Sequence, residues 1–307
     1  MFANAIPSKL HQVLLRAFAP GSPYWAESDY ANRGYFSWWY DIDEPPRHAV
    51  EQLIRDHLLP LVGSARDEIV GAEWWVHTRV AGHNLGHQLH YDTEERSLEA
   101  TGEIVHPLVS SVCYLSGGGS AGGGPTIVFD QTVDDDVGAA SGWLATPVDR
   151  GFLTFPGNRL HGVLPGGGSR SNPEARPARK RRAVSGNGAG GSGSGARAEA
   201  PRACRLTLMV GFWSRPVGRG GRRRTPYSAC APLPKETRSL RWLSTMPVVG
   251  SVDTAKSTEV PVPAVSPVWE AVPPAGRSCV PLEVPAVVDQ RFFVRSIGAA
   301  GGECARR

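Results

Sequence analysis

From residue 73 onward apolar side chains recur at every second position, and this change of period constrains the fold more than any other feature of the chain. Eight short segments carry it: 73–80 (EWWVHTRV), 87–92 (HQLHYD), 107–116 (PLVSSVCYLS), 126–131 (TIVFDQ), 143–148 (WLATPV), 151–156 (GFLTFP), 160–165 (LHGVLP) and 205–213 (RLTLMVGFW). Period two is the mark of strands with two different faces. Glycine, proline and aspartate stand between the segments, as turns require. Eight short strands behind a helical start predict a mainly β fold, a jelly-roll with an N-terminal helical buttress.

The first 69 residues follow a different rule. Leu10, Val13, Leu14, Ala17 and Phe18 recur at spacings of three and four after Pro7-Ser8, which predicts an amphipathic helix. Residues 24–43 are aromatic and irregular. A second helix is expected after Pro45-Pro46, with Val50, Leu53, Ile54 and Leu58 inward and Pro60 limiting its end. The expected organisation is therefore a helical and aromatic region over 1–69, a β domain over 70–215, and a Pro/Arg-rich extension over 216–307. Within that extension only 268–296 regains strand-like pieces that could pack back onto the core.

Charge and composition divide the chain in the same sense. Residues 1–150 hold 9 basic and 20 acidic residues, a net −11, and the remainder carries +15. Much of the positive excess lies in 166–200, where a basic run gives way to SGNGAGGSGSG, and in 216–307. The first of these has the composition of a flexible linker and is expected to be a disordered insertion between the last two strands. The basic segments 176–182 and 215–224 could touch nucleic acid phosphates, although arginines that only keep a tail soluble account for them as well. No apolar run approaches the roughly 18 residues needed to cross a bilayer, so no membrane partner is expected. Five scattered cysteines without a CxxC pair disfavour a disulfide framework and a cysteine zinc site. With no charged n-region or apolar h-region at the start, an intracellular, cytoplasmic location is expected, with organellar targeting left open.

The chemistry concentrates at His90-Tyr91-Asp92. Residues two apart on a strand share a face, so the imidazole and the carboxylate converge. His161, 71 residues further on at the start of another strand, can complete a set of two histidines and one carboxylate. That set is the facial triad of non-haem Fe(II) oxygenases, which leaves positions open for further ligands. On its own the HxD pair is weak, because polar residues on an edge strand produce it too.

The order HxD, CYLS, a glycine-rich turn into GPTIVFD, then GFLTFPGNRLHGV and RLTLMVGFW closely resembles the 2-oxoglutarate- and Fe(II)-dependent dioxygenase superfamily, in its prolyl-hydroxylase-like branch. The resemblance covers roughly 70–215 without the insertion. It implies a double-stranded β-helix, Fe(II) held by His90, Asp92 and His161, and 2-oxoglutarate and O2 as cosubstrates, with ascorbate as an optional reductant. It further implies that Arg205 pairs with the far carboxylate of 2-oxoglutarate and that Thr207, on the same face, assists. A planar guanidinium suits that task, since it meets a carboxylate through two parallel hydrogen bonds. Tyr114 matches a tyrosine that binds the same carboxylate in that branch, though a buried tyrosine of the barrel is an equal account of it.

One spacing departs from the family. His161 and Arg205 are 44 apart, where about ten is usual; setting aside the 34 residues of 167–200 leaves ten. Loop closure grows slowly with length, so such an insertion is tolerable. Arg202 competes with Arg205 but precedes the apolar strand instead of opening it. Among weaker motifs, GGGSAG at 117–122 formally matches a dinucleotide fingerprint but joins two strands and opens no helix. His83 and His87 are assigned to supporting or surface roles, since a strand would turn His87 away from His90. Glu94 and Glu95 lie past the strand end, and Asp134-Asp135-Asp136 is expected in a solvated loop.

The sequence thus points to a dioxygenase that hydroxylates or oxidatively demethylates an unidentified protein or small molecule, releasing succinate and CO2. Two other classes stay open: a jelly-roll binding module without turnover, and a nucleic-acid-associated protein acting through its basic insertion and tail.

Overall fold

The computed structural model describes residues 1–28, 30, 37–80, 86–117, 124–164, 204–217, 240–253, 255–266 and 268. The elements run β1 (Phe2–Ala3), α1 (Ser8–Ala17), α2 (Pro23–Glu27), β2 (Trp38–Asp41), α3 (Ala49–Leu53), β3 (Gly71–Val80), β4 (His87–His90), α4 (Glu95–Thr101), β5 (Val109–Ser116), β6 (Thr126–Phe129), β7 (Gly142–Ala145), β8 (Gly151–Pro156), β9 (His161–Val163), β10 (Cys204–Trp213), β11 (Thr258–Glu259) and β12 (Ala264–Val265). Each of the eight expected strand segments holds one of them.

The strands form two antiparallel sheets. One has the order β11-β1-β8-β5-β10-β3-β2 and the other β12-β7-β6-β9-β4. β10 is the spine of the larger sheet, pairing with β3 along its whole length and with β5 from Leu206 to Phe212. The architecture is mainly β, and two packed sheets of this kind are compatible with a sandwich.

Alternation along the larger sheet creates two distinct cores. Leu206, Leu208, Val210 and Phe212 of β10 join Cys113 and Leu115 of β5 and Trp74 and Val76 of β3 on one face. That face is covered by Leu10 and Leu14 of α1, by Val50 and Leu53 of α3, and by Ile54 and Leu58 in the wide turn that continues α3. The helical start is therefore a buttress because its apolar stripe is complementary to this face. The opposite face meets the smaller sheet: Val112 and Tyr114 of β5 and Leu153 and Phe155 of β8 pack against Val128 of β6 and Ala145 of β7. A third cluster lies on the far side of the smaller sheet, around Leu89, Tyr91, Ile127 and Phe129.

The expectation that only 268–296 of the extension could pack back onto the core is corrected. Trp242 and Met246 are fully buried in the helix-covered core, and β11 and β12 add one short strand to each sheet. Trp242 packs edge-on against Tyr24, Trp38 and Trp74. The proline-rich composition hid this, because the burial comes from single large side chains and not from a periodic stripe. Residues 269–296, most of the piece expected to return to the core, lie outside the described residues, as do 165–200 and 218–239. No helix among the described residues is long and apolar enough to cross a membrane.

Candidate metal centre

His90 ends β4 and His161 begins β9, and the two are directly opposed in the ladder between those strands. Their rings lie 4.3 Å apart. Asp92 is two residues past the end of β4, so its approach does not depend on the ladder. Its main-chain carbonyl accepts a hydrogen bond from His106 Nδ1 at 2.7 Å, and its Oδ2 accepts one from the Ser110 hydroxyl at 2.6 Å. These two grips turn the carboxylate toward the imidazoles. His90 Nε2 stands 3.7 Å from Oδ1, and His161 Nε2 stands 3.7 Å from Oδ2.

Hydrogen bonds on the outer nitrogens fix the tautomers. His90 Nδ1 donates to the Gln88 carbonyl at 2.9 Å, and His161 Nδ1 donates to the Arg159 carbonyl at 2.9 Å. A carbonyl only accepts, so each Nδ1 carries the proton and each Nε2 turns a lone pair inward. This is the arrangement by which metal-ligating histidines are held. Burial lowers the pKa of the His161 imidazole to about 4; neighbouring His90 adds to the effect and Asp92 opposes it. A neutral imidazole is the form that binds a metal.

The donor set fits a divalent cation. One ligand atom from each of His90, Asp92 and His161 lies within 4.8 Å of the others. An ion about 2 Å from each donor asks for separations of about 3 Å between donors, which small side-chain rotations supply. Two imidazole nitrogens and one carboxylate oxygen are a donor set used by divalent transition metals, non-haem iron and catalytic zinc among them.

A strand irregularity shapes the edge of the site. His87 pairs with Val163 and His90 with His161, so three steps along β4 match two along β9. One extra residue in one strand is a bulge, and it reverses the alternation. The expectation that His87 points away is therefore corrected: its ring meets that of His90 edge-on at 5.0 Å. Gly162 makes the bulge possible, since a Cβ there would stand 2.9 Å from the His87 carbonyl oxygen and 3.0 Å from that of Gln88. His77 of β3 lies 5.8 Å beyond His87, with Tyr30 on its Nδ1 and the Trp75 indole N–H donating to its Nε2. His83 lies outside the described residues.

The residues expected to bind the far end of a cosubstrate also come together, on the face between the sheets. Arg205 is 2% exposed although it is only the second residue of β10. Its guanidinium donates to the Gly124 carbonyl at 2.6 Å and lies 5.3 Å from the centre of the Tyr114 ring. Thr207 is directly opposite Tyr114 in the ladder, and the Tyr114 hydroxyl shares a 2.8 Å hydrogen bond with Thr126. Burial raises the Tyr114 pKa, an effect the Thr126 hydrogen bond and Arg205 oppose. Ser110 and Tyr114 lie on this same face, four residues apart on β5, so about 13 Å of strand separates the two groups.

Sequence reasoning did not single out Ser110, Thr126 or His106. Ser110 had a signal: it interrupts the apolar run PLVSSVCY at a position that alternation puts on the face of Tyr114. His106 had none, because it acts on a main-chain carbonyl. Of the rejected alternatives, Glu94 caps α4 by accepting from the Ser97 N–H, and Asp135 accepts from Thr132 within its loop. Arg202 lies outside the described residues. No family model, curated protein or solved structure matches the chain.

Proposed function

We propose that this protein is a 2-oxoglutarate- and Fe(II)-dependent dioxygenase of double-stranded β-helix type, which hydroxylates or oxidatively demethylates a substrate still to be identified. The observation that carries the reading is the convergence of two inward imidazole lone pairs and one clamped carboxylate in the same space between the sheets as a buried arginine. In this reading His90, Asp92 and His161 hold the iron, and Arg205, assisted by Thr207 and Tyr114, binds the distal carboxylate of 2-oxoglutarate. The iron and 2-oxoglutarate together supply the oxidising power from O2, with succinate and CO2 as the companion products.

The chain's own residues then have three tasks. The carbonyls of Gln88 and Arg159 keep the imidazoles in the tautomer that presents Nε2 to a metal. Arg205 supplies a fixed positive charge in a place where an unpaired carboxylate would be costly to bury. Val112, Val128, Leu153 and Phe155 line the space between the sheets with apolar surface, which keeps water from the bound carboxylate and strengthens its pairing with the guanidinium.

The test is succinate formation from 2-oxoglutarate by the purified full chain under air. Turnover is expected with added Fe(II) and none after chelation or in His161→Ala. Succinate release that is indifferent to Fe(II) and to His161→Ala would remove the dioxygenase reading. A panel of peptides, nucleic acids and small metabolites that accelerates the release then identifies the substrate class.

A further inference from the structure

The carboxylate of Asp92 has two oxygens with different partners. Oδ2 accepts a 2.6 Å hydrogen bond from Ser110 Oγ and stands 3.7 Å from His161 Nε2, whereas Oδ1 stands 3.7 Å from His90 Nε2. Ser110 is 1% exposed and sits inside the larger sheet, between Phe155 of β8 and Gly211 of β10. The other end of Asp92 is held as well, by His106 on its main-chain carbonyl. Clamped at both ends, the carboxylate moves toward an ion only by small rotations, and Oδ2 makes them against its bond to the serine.

We propose that Ser110 is a positioning residue which confines Asp92 to ligation through a single oxygen, Oδ1, while Oδ2 stays bound to the serine hydroxyl. This rests on the metal-centre reading above and adds a specific device to it. Carboxylates bind metals through one oxygen or two, and the hydrogen bonds around them decide which. An oxygen that already accepts a short hydrogen bond is a poorer ligand, because its lone-pair density is shared. Two-oxygen ligation would also use a coordination position that a facial triad must leave open. The serine therefore does more than orient a side chain: it keeps free the coordination position on which any further ligand depends.

The probe is Co(II), titrated into the metal-free full chain, followed by its visible absorption. The wild type is expected to bind one ion. Ser110→Ala should bind roughly 10- to 100-fold more weakly, the usual effect of losing a partner behind a ligand. It should also show an altered Co(II) spectrum as the carboxylate closes onto the ion. Ser110→Thr, which keeps the hydroxyl, should restore both affinity and spectrum. Wild-type affinity and spectrum in Ser110→Ala would overturn the proposal. So would a loss in Ser110→Ala that Ser110→Thr fails to restore, since packing and not the hydroxyl would then be the cause. If Ser110→Ala does not fold, infrared spectra of Co(II)-loaded wild-type chain carrying 13C-aspartate decide. Carboxylate stretches split widely support one-oxygen ligation, and a narrow splitting overturns it. A wild-type chain that takes up no Co(II) overturns the metal centre itself, a result distinct from a bound ion that ignores Ser110.

Discussion

The two faces of β10 carry different kinds of residue. Leu206, Leu208, Val210 and Phe212 are buried against the helices, in a core of leucine, valine and tryptophan. Arg205 and Thr207 are equally buried but look between the sheets, toward Tyr114 and Thr126. β5 repeats the contrast, with Cys113 and Leu115 on the helix side and Ser110 and Tyr114 on the other. Burial alone therefore does not distinguish structure from function in this chain. The distinction on β10 lies in what is buried: its helix-covered face holds apolar groups that gain by leaving water, and its inner face adds polar groups that need a partner to stay there.

If that contrast is right, substitutions on opposite faces of β10 should produce different defects. Arg205→Ala should weaken 2-oxoglutarate binding to the metal-loaded chain by roughly 3–5 kcal/mol, the scale of breaking a buried charge pair, and leave Co(II) uptake intact. Leu208→Ala should lower the stability of the fold by roughly 2–5 kcal/mol and leave the ligand affinity of the folded fraction unchanged. Calorimetric titration with 2-oxoglutarate and thermal unfolding of both variants separate the effects. A Leu208→Ala chain that loses ligand affinity as severely as Arg205→Ala would mean that the two faces are not independent.

A second comparison sharpens the first, because both regions contain a buried imidazole. His48 lies in the helix-covered core, packed against Trp74 and Trp242 and 3.4 Å from Glu51, which is itself paired with Arg47. Burial lowers its pKa to about 4; Glu51 opposes this and Arg47 adds to it. The unfolded chain takes up this proton at about 6.5, whereas the folded chain resists until about 4. The contribution of His48 to stability is therefore complete above the unfolded value, is lost as the pH falls between the two values, and changes little below the folded one. That loss is roughly 3 kcal/mol, because a tenfold difference in proton affinity between the folded and unfolded chain is worth about 1.36 kcal/mol. Denaturant melts of wild type and His48→Leu between about pH 4 and pH 7 check it. The difference between the two chains should vary with pH in that window, and a constant difference would assign the acid sensitivity to other groups.

The legible part of the molecule was that governed by periodicity. Alternation located the eight central strands, and the three-four spacing located α1, because both patterns report which side of an element meets a core. The same alternation pairs Arg205 with Thr207 and puts Ser110 on the face of Tyr114. Two things escaped for physical reasons. The bulge at His87 reverses a face through one extra residue, and its only trace in the sequence is Gly162, a glycine in a partner strand 75 positions away. The return of Trp242 and Met246 to the core rests on two isolated side chains, which no period announces. Asp92 was found by alternation but is held by something else, since β4 ends at His90 and His106 and Ser110 finish the work.

The smallest expected effect tests the boundary between the two sheets themselves. β9 belongs to the smaller sheet and β10 to the larger, so the chain between Leu164 and Cys204 must cross from one to the other. Removing 167–200 leaves five residues for the crossing, Pro165, Gly166, Pro201, Arg202 and Ala203. Six Cα-to-Cα steps reach about 20 Å when extended, and packed sheets lie about 10 Å apart. The shortened link is therefore long enough. Shortening the loop also reduces the entropy cost of closing it, by about 0.6 kcal/mol per halving of length, or roughly 2 kcal/mol for this deletion. Thermal stability should stay level or rise slightly, and Co(II) affinity and 2-oxoglutarate affinity should be those of the full chain. A fall in stability would mean that the removed residues contribute contacts of their own. A fall in 2-oxoglutarate affinity with metal binding preserved would instead mean that the register of Arg205 depends on the length of the crossing, and the inner face would then be coupled to a segment whose composition gives it no core.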